Sequence, residues 1–458
     1  MKYLTANLTR KSSLIFMLVF TGIIIFDSTI VKFSSYSGVE ASVTLNLAIF
    51  IIFSAIFAIG CTLLVRTVSK YMWSHQYNLT SQPSVLKYFH IIIISILILS
   101  VTTMIMIILQ MVVSNNYSLI LVRVQTYLSH LAPLIFISFL IFMFGRWLTS
   151  KRNYIMLLYV ISFSLVSINL AVSLLYLDSY FSILTSSTLI YYPIIADISS
   201  TLPPPQIELL SSVFDTLSLS SFLLMWAATA LLLRQYRFRI GRIRYFAIIS
   251  VPLLYYIFPF QNYFGDIFFS LLYSAPVVFS VIYILIFSAT KQVGALLFGL
   301  SFWSTSSLIH DNRVQKSLLI SSIGITILFG SIEIAPLQFT VYPPFGFVTE
   351  ALIPFGAYLL VVGIFTSAKY ASQDVELRKQ FYKNASSQLD LLRSIGVAQM
   401  EKEYERKVRY VKERLEPLKA TYGSQFETEM NEADVKETLH EVLNELYYSK
   451  GKKERTEP

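Results

Sequence analysis

Long apolar stretches recur along the chain and dominate its pattern of hydrophobic and polar positions. Each is about twenty residues long, the length of a helix that crosses ~30 Å of hydrocarbon. Continuous apolar runs, rather than alternation over about ten residues, favour helices over a β-barrel. The segments predicted to cross are 12–31, 42–65, 89–113, 124–145, 154–177, 212–233, 245–264, 268–289, 317–337 and 347–367.

A shorter apolar segment, residues 293–309, has a different pattern. Gly294, Gly299 and several Ser and Thr residues between 301 and 307 interrupt it. Its length and interruptions are typical of a re-entrant or interfacial helix that packs against other helices. The sequence therefore predicts an all-α, polytopic membrane helix bundle with about ten crossings and one short non-crossing helix.

Composition and charge agree with a membrane protein and exclude a nucleic-acid-binding one. The chain is 55% hydrophobic and only 14% charged, with a net charge of +9. From Lys369 onward there are 17 basic and 17 acidic residues, so the whole excess lies in the membrane part. There the basic residues cluster next to helix ends, which is a topology signal rather than a nucleic-acid surface.

The distribution of Lys and Arg predicts the orientation. With the amino terminus in the cytoplasm, 17 of these residues before the tail lie inside, and only Lys32 and Arg123 lie outside. This bias predicts a multi-pass plasma-membrane protein, in contact with the lipid bilayer, with both termini cytoplasmic. The same bias requires that residues 293–309 do not cross.

One cytoplasmic loop is unusually basic, because arginines alternate in it with apolar and aromatic residues. The arginines are Arg234, Arg237, Arg239, Arg242 and Arg244. We expect them to lie at the inner surface and to attract anionic lipid headgroups, with about 1 kcal/mol per basic residue. Docking of a soluble partner on this loop is the alternative.

The sequence predicts four regions: a transmembrane domain over 1–368, a cytoplasmic signalling-type helix over 369–420, a second amphipathic helix over 424–449 and a disordered tail over 450–458. In the second region apolar residues recur at alternating spacings of four and three, the pattern of a coiled coil. These residues are Tyr404, Val408, Val411, Leu415 and Leu418. The pattern indicates a homodimer that pairs through the tail.

Acidic residues of the membrane part lie almost entirely on the predicted outer side. Asp27, Glu333 and Glu350 fall inside or at the edge of apolar segments, where ionisable groups are costly and usually face a cavity or a partner. His130 lies at a similar depth. The four residues form a candidate outer pocket for a cation, a proton or a small polar ligand. Alternatively, each carboxylate reaches the headgroups independently.

Motifs for catalysis or cofactor binding are absent from the sequence. It contains no Walker loop, no dinucleotide glycine fingerprint and no nucleophile elbow. His440 and Glu441 lack the flanking residues of a histidine-kinase phosphoacceptor, and the lone Cys61 excludes an internal disulfide. We therefore expect no catalytic residues, no metal site and no cofactor.

Three segments carry a resemblance to a protein family. They are Gly294–Trp303 (GALLFGLSFW), Tyr342–Gly346 (YPPFG) and Gln388–Met400 (QLDLLRSIGVAQM). These segments resemble uncharacterised multi-spanning archaeal membrane proteins, some of which look like sensors joined to a signalling helix. The resemblance implies an archaeal, sensor-like protein, and it implies no functional residues.

Two functions fit these features. The first is a receptor or signal transducer that couples an outer-face or bilayer stimulus to the cytoplasmic tail, with a separate cytoplasmic output protein as partner. The continuity between the last crossing and the tail favours it. The alternative is a secondary transporter or channel for a cation or small polar solute, which helix number, interior prolines and intramembrane carboxylates favour.

The predicted pairing of the tail can be tested with cysteines at two of its apolar positions. Val408→Cys and Leu415→Cys should each form disulfide-linked dimers in membranes, because residues at these positions of a coiled coil face their counterparts. Non-reducing gels measure the dimer fraction. A strictly monomeric tail at both positions would exclude this pairing.

Overall fold

The computed structural model describes residues 8–37, 43–74, 84–184, 189–191, 205–234, 237–238, 241–253, 276–309, 311–332, 343–373, 391–406 and 409. Glu333 and Arg239 lie outside these residues. So does most of the predicted coiled coil, with the second amphipathic helix and the last residues of the tail.

Helices make up nearly all of the described chain. They are α1 (Arg10–Ser37), α2 (Val43–Ser74), α3 (Ser84–Ser114), α4 (Leu119–Ser150), α5 (Tyr154–Leu184), α6 (Pro205–Leu233), α7 (Arg242–Ser250), α8 (Pro276–Ser306), α9 (Asn312–Ile332) and α10 (Phe347–Gln373). Two short strands, β1 (Asn116–Ser118) and β2 (Leu189–Tyr191), pair antiparallel. The predicted all-α bundle is confirmed to this extent.

Eight of the described helices, α1 to α6 with α9 and α10, are long and apolar enough to cross a membrane. Large apolar side chains also cover the outside of the bundle, among them Ile59, Ile98 and Val113, which are 63%, 63% and 79% exposed. Water disfavours so much exposed apolar surface, whereas lipid chains accommodate it. The chain is therefore a multi-pass helical membrane protein.

Helices α9 and α10 lie at the centre of the bundle. In the most apolar stretch of α9 and of α10, 89% and 94% of the residues are buried, against 33–50% in the corresponding stretches of α1 to α6. α10 contacts α1, α2, α3 and α4 as well as α9. A helix that is buried all round in this way has no face left for lipid.

Small residues let the backbones of α9 and α10 approach each other closely. A Cβ atom on Gly356 would lie 2.6 Å from the backbone nitrogen of Leu328, and one on Gly324 would overlap the backbone of Leu360. A Cβ atom on Gly363 would lie 2.6 Å from the backbone of Ser321. Packing of this kind holds helices together in membranes, where burial of apolar surface supplies little net driving force.

Side-chain contacts give the relative direction of the helices. Three positions along α8 lie near α1. Ala295 and Ile24 both lie beside Gly330, and Gly299 lies by Met17. The Trp303 indole donates to the Arg10 carbonyl at 2.9 Å. α8 therefore runs antiparallel to α1. We call the end of the bundle where α10 begins the Glu350 end, and the end where α10 finishes the Gln373 end.

The predicted separate helix over residues 293–309 is wrong, because its residues as far as Ser306 form the C-terminal half of the continuous helix α8. Gly294 faces the ring of Phe222, and Gly299 faces Thr326. The small residues that interrupt the apolar profile are therefore packing positions and not helix breakers. The predicted crossing 268–289 is displaced accordingly, since α8 begins at Pro276.

Lys291, one of the 17 Lys and Arg residues predicted to lie on the cytoplasmic side outside the crossings, lies within α8 and is buried. It is near enough to Asp215 of α6 for the two charges to interact. A positive charge inside a membrane bundle usually has a charged or polar partner of this kind. The loop assignment of Lys291 is therefore wrong.

Helix α7 packs back along α6. The Tyr245 hydroxyl donates to the Ala230 carbonyl at 2.8 Å, and the Trp226 indole donates to the Ile249 carbonyl at 2.7 Å. Rising residue numbers in α7 thus meet falling numbers in α6, so the two helices are antiparallel. The chain therefore reverses its direction between α6 and α7.

The chain divides into two compact units, Met1–Met400 and Glu401–Pro458. Within the first unit, residues 391–400 are helical, and we call them the docking segment. Leu391, Leu392 and Ile395 are buried. Packing with the first unit thus extends well beyond the end of α10. In the second unit the described residues 401–406 are helical.

The close approach of α9 and α10 predicts a large effect of one added methyl group. Gly356→Ala should lower the free energy of unfolding by about 1–3 kcal/mol, because the methyl group meets backbone that cannot move independently. Thermal melting of the purified protein measures the effect. Gly22→Ala is the matched control, since a Cβ atom there meets nothing within 4 Å. Equal melting of the two variants would contradict the proposed packing.

Candidate functional site

The Asp27 side chain from α1 caps the N-terminus of α10. Its carboxylate accepts from the backbone nitrogens of Gly346 and Thr349, both at 3.1 Å, and from the Thr349 hydroxyl at 2.6 Å. Free N–H groups and the helix dipole both favour a negative charge at a helix start. Gly346, with φ at 89°, adopts a backbone conformation that suits glycine. Both oxygens of this buried carboxyl group are thus hydrogen-bonded.

His130 of α4 and Glu350 of α10 face each other beside this cap. Their Nδ1 and Oε1 atoms lie 3.5 Å apart, and the two side chains are 1% and 2% exposed. Glu350 belongs to the first turn of α10, so it adjoins the residue that Asp27 binds. Two carboxyl groups from different helices therefore meet at one turn of α10.

The hydrogen bonds of His130 assign its protons. Nδ1 lies 2.9 Å from the Thr126 carbonyl, which can only accept, so Nδ1 carries a hydrogen. Nε2 lies 2.9 Å from the Ser173 hydroxyl, which can donate to it. In the neutral ring both nitrogens are then satisfied. The hydrogen nearest Glu350 is already donated to a backbone oxygen.

Several buried polar atoms around this pair have no hydrogen-bond partner among the described residues. They are Glu350 Oε1, Thr126 Oγ1, Gln125 Oε1, Asn169 Nδ2 and Asn169 Oδ1. The Thr126 hydroxyl lies beside the Glu350 carboxylate. Asn169 lies one helical turn from Ser173 on α5. Buried polar atoms are rarely left without a partner in proteins, so these side chains mark a candidate site for a ligand.

The structure brings together three of the four predicted pocket residues. His130 and Glu350 are in direct contact, and Asp27 lies on the same turn of α10. The carboxylate of Asp27 is, however, fully engaged in capping. The fourth residue, Glu333, lies outside the described residues.

Sequence reasoning missed the uncharged members of the site. Thr126 and His130 are four residues apart on α4, and Asn169 and Ser173 are four apart on α5. This spacing places each pair on one face of its helix. Polar residues at that spacing inside apolar segments are the signal that could have identified them.

A charged pair lies on α4 and α5, nearer the Glu350 end than His130 and Ser173. Arg123 Nη2 lies 3.7 Å from Asp178 Oδ1, and the Tyr127 hydroxyl donates to the same oxygen at 2.7 Å. Both charged side chains are partly exposed. The positive charge of Arg123 is thus offset by Asp178 rather than by Glu350.

At the Gln373 end the docking segment packs against α4, α5 and α10. The Trp147 indole donates to Gln399 Oε1, and the Asn153 amide donates to the Ser394 hydroxyl, each at 3.0 Å. Ala371, in the last turn of α10, would lie 3.1 Å from a Cβ atom on Gly396. α10 therefore extends from the polar site to the docking segment.

α6 runs parallel to α8, since Asp215 lies near Lys291 and Phe222 lies by Gly294, so α6 also ends at the Gln373 end. The described arginines that follow it are the exposed Arg234, Arg242 and Arg244 and the partly buried Arg237. Ile243 and Phe246 beside them are 86% and 56% exposed. Exposed arginines interleaved with exposed apolar side chains suit a lipid surface. Headgroup binding stays a prediction.

Fold and site together define a polytopic helical membrane protein with a buried polar site near one end and a docked helical segment at the other. Comparison with protein-family models, with curated proteins and with solved structures finds no match for this chain. The resemblance to archaeal sensor-like proteins therefore stays a prediction. No group of three or more His, Cys, Asp or Glu side chains that could hold a metal ion occurs among the described residues.

The capping role of Asp27 predicts a loss of stability when its charge is removed. Asp27→Asn should lower the free energy of unfolding by about 1–3 kcal/mol, because an amide nitrogen cannot accept from the N–H groups of α10. The backbone amides of Gly346 and Thr349 should then exchange hydrogen faster. Thr29→Val is the control, since that hydroxyl only donates to the Ile25 carbonyl of its own helix. Unchanged exchange in Asp27→Asn would exclude the capping role.

Proposed function

We propose that the protein is a membrane receptor or signal transducer, in which a stimulus at the polar site or in the bilayer shifts α10 and alters the docking segment. One observation carries the proposal. α10 holds Glu350 in its first turn and Ala371, against Gly396, in its last turn, and nearly all of it is buried. A change at one end of such a helix reaches the other end directly.

The packing of α10 supports this coupling. Helices that transmit signals commonly move by one or two ångströms against their neighbours, and closely packed interfaces switch between discrete arrangements. The interface of α10 with α9, which Gly324, Gly356 and Gly363 allow to be so close, is of this kind. Asp27 fixes the start of α10 to α1, so a shift of either helix would be transmitted to Glu350.

For the orientation we propose that the Glu350 end faces outward and that both termini are cytoplasmic. Ten crossings follow when α1 to α6, the passage that begins with α7, and α8 to α10 each cross once. The antiparallel contacts of α7 with α6 and of α8 with α1 support this count. The Lys and Arg bias supports it as well, since the inner residues without Lys291 still far outnumber Lys32 and Arg123.

A transporter or channel is the second candidate. The burial of Lys291 near Asp215 favours it, because charges inside a bundle often mark a solute or ion pathway. Pro133 and Pro354 inside α4 and α10 also favour it, since proline weakens a helix locally. The continuous course of α10 from the polar site to the docking segment favours the receptor.

A disulfide between α10 and the docking segment tests the coupling. In a Cys61→Ala background, Ala371→Cys with Gly396→Cys should cross-link, because their Cβ atoms would lie 3.1 Å apart, a few tenths of an ångström closer than the ~3.5–4.5 Å of a disulfide. Glu350→Gln should change the rate of cross-linking severalfold if α10 couples the two ends. Gel mobility of the oxidised protein over time measures this rate.

The control is a cysteine pair in the bundle itself, Ala295→Cys with Gly330→Cys, whose Cβ atoms would lie 3.8 Å apart. Its rate should be the same with and without Glu350→Gln. An unchanged rate at the 371/396 pair would contradict the coupling. Flux of small cations into liposomes that Glu350→Gln abolishes would instead favour the transporter.

A further inference from the structure

We infer that Glu350, Thr126 and their neighbours bind a small monovalent cation. The cation is either an alkali-metal ion or a compact ammonium group, which share a single positive charge and a need for oxygen acceptors. The inference that this cation is what the receptor detects rests on the proposed function. The binding itself can be measured independently of that function.

The charge balance of the site favours a positive ligand. The two carboxyl groups at the start of α10 differ in their surroundings. Asp27 accepts three hydrogen bonds, whereas Glu350 has the Thr126 hydroxyl beside it and no well-aligned donor on Oε1 among the described residues. The only ionisable side chain that the described residues place against Glu350 is His130, whose ring is satisfied in its neutral form. A buried carboxylate without a compensating charge is costly, and a bound cation removes much of that cost.

The available ligand atoms are oxygens. Glu350 Oε1 and Thr126 Oγ1 are buried, and the Thr126 hydroxyl lies within reach of the Glu350 carboxyl group, so both oxygens can face one ligand. Gln125 Oε1, on the same helix as Thr126, has no hydrogen-bond partner among the described residues. Carboxylate, hydroxyl and amide oxygens are the atoms that hard cations select. With Asp27 engaged in the cap, one carboxylate remains, which suits one positive charge better than two.

Burial limits the size of the cation. Glu350 is 2% exposed and His130 is fully buried, so the polar site is enclosed by α4, α5 and α10. An anion is disfavoured, because the nearest cationic side chain on α4, Arg123, is paired with Asp178. The unpaired amide of Asn169, one turn beyond Ser173, extends the polar surface away from the Glu350 end.

The experiment measures thermal unfolding of the purified full-length protein in Na⁺, K⁺, Li⁺, methylammonium or choline at constant ionic strength. A ligand that binds only the folded state raises its stability. At least one small cation should therefore raise the melting temperature by several degrees relative to choline, which is too large to be enclosed. The cation with the largest effect tells a metal-ion site from an ammonium site.

Glu350→Gln and Thr126→Val should each abolish the cation-specific shift. Glu208→Gln should retain it, since Glu208 lies exposed on α6. If Glu350→Gln fails to fold, Thr126→Val, which keeps the carboxylate, carries the test. A wild-type melting temperature that is equal in all five cations would overturn the inference. A shift that persists in both site variants would overturn it too.

The two proposals can fail separately. A cation shift that depends on Glu350, together with an unchanged 371/396 cross-linking rate, would support the binding site and contradict the receptor. A cross-linking rate that depends on Glu350, without any cation effect on melting, would contradict the cation site alone.

Discussion

The arrangement of the bundle depends on the close approach of α9 and α10 through glycine. Gly324, Gly356 and Gly363 leave no room for a Cβ atom between the two backbones. Two helices packed this closely form one thick central unit, and α1 to α4 and α8 pack against it. Because α10 is enclosed in this way, its polar side chains cannot reach headgroups and must find partners inside the protein. The polar site is thus a consequence of the packing as much as of its own residues.

Two carboxyl groups on one turn of α10 illustrate how environment decides the role of a residue. Asp27 meets free N–H groups at a helix start, and this arrangement holds its charge and joins the first helix to the last described span. Glu350 meets a neutral imidazole and the Thr126 hydroxyl. The first is therefore structural, and the second is the group that remains available for chemistry. Residue type and depth alone could not separate them.

The sequence predicted the class of fold well, because length and apolarity are enough to mark a spanning helix. It also indicated that His130 and Glu350 belong together, since both lie at a similar depth from the same side. It misjudged residues 293–309 and Lys291, because hydropathy treats Gly294, Gly299 and a buried charge as interruptions whatever they contact. The cap on α10 was beyond prediction, since it joins residues more than three hundred positions apart.

That separation has a consequence for how the protein is made. The donors that pair with Asp27 follow it by 319 and 322 residues, so α1 leaves the ribosome long before α10 is synthesised. At ~5–20 residues per second this interval is on the order of tens of seconds. During that time the carboxyl group has no cap from α10, and lipid is a poor environment for its charge. The cap therefore forms only after α10 has been synthesised. The correct insertion of α1 thus depends on the synthesis of nearly the whole membrane domain.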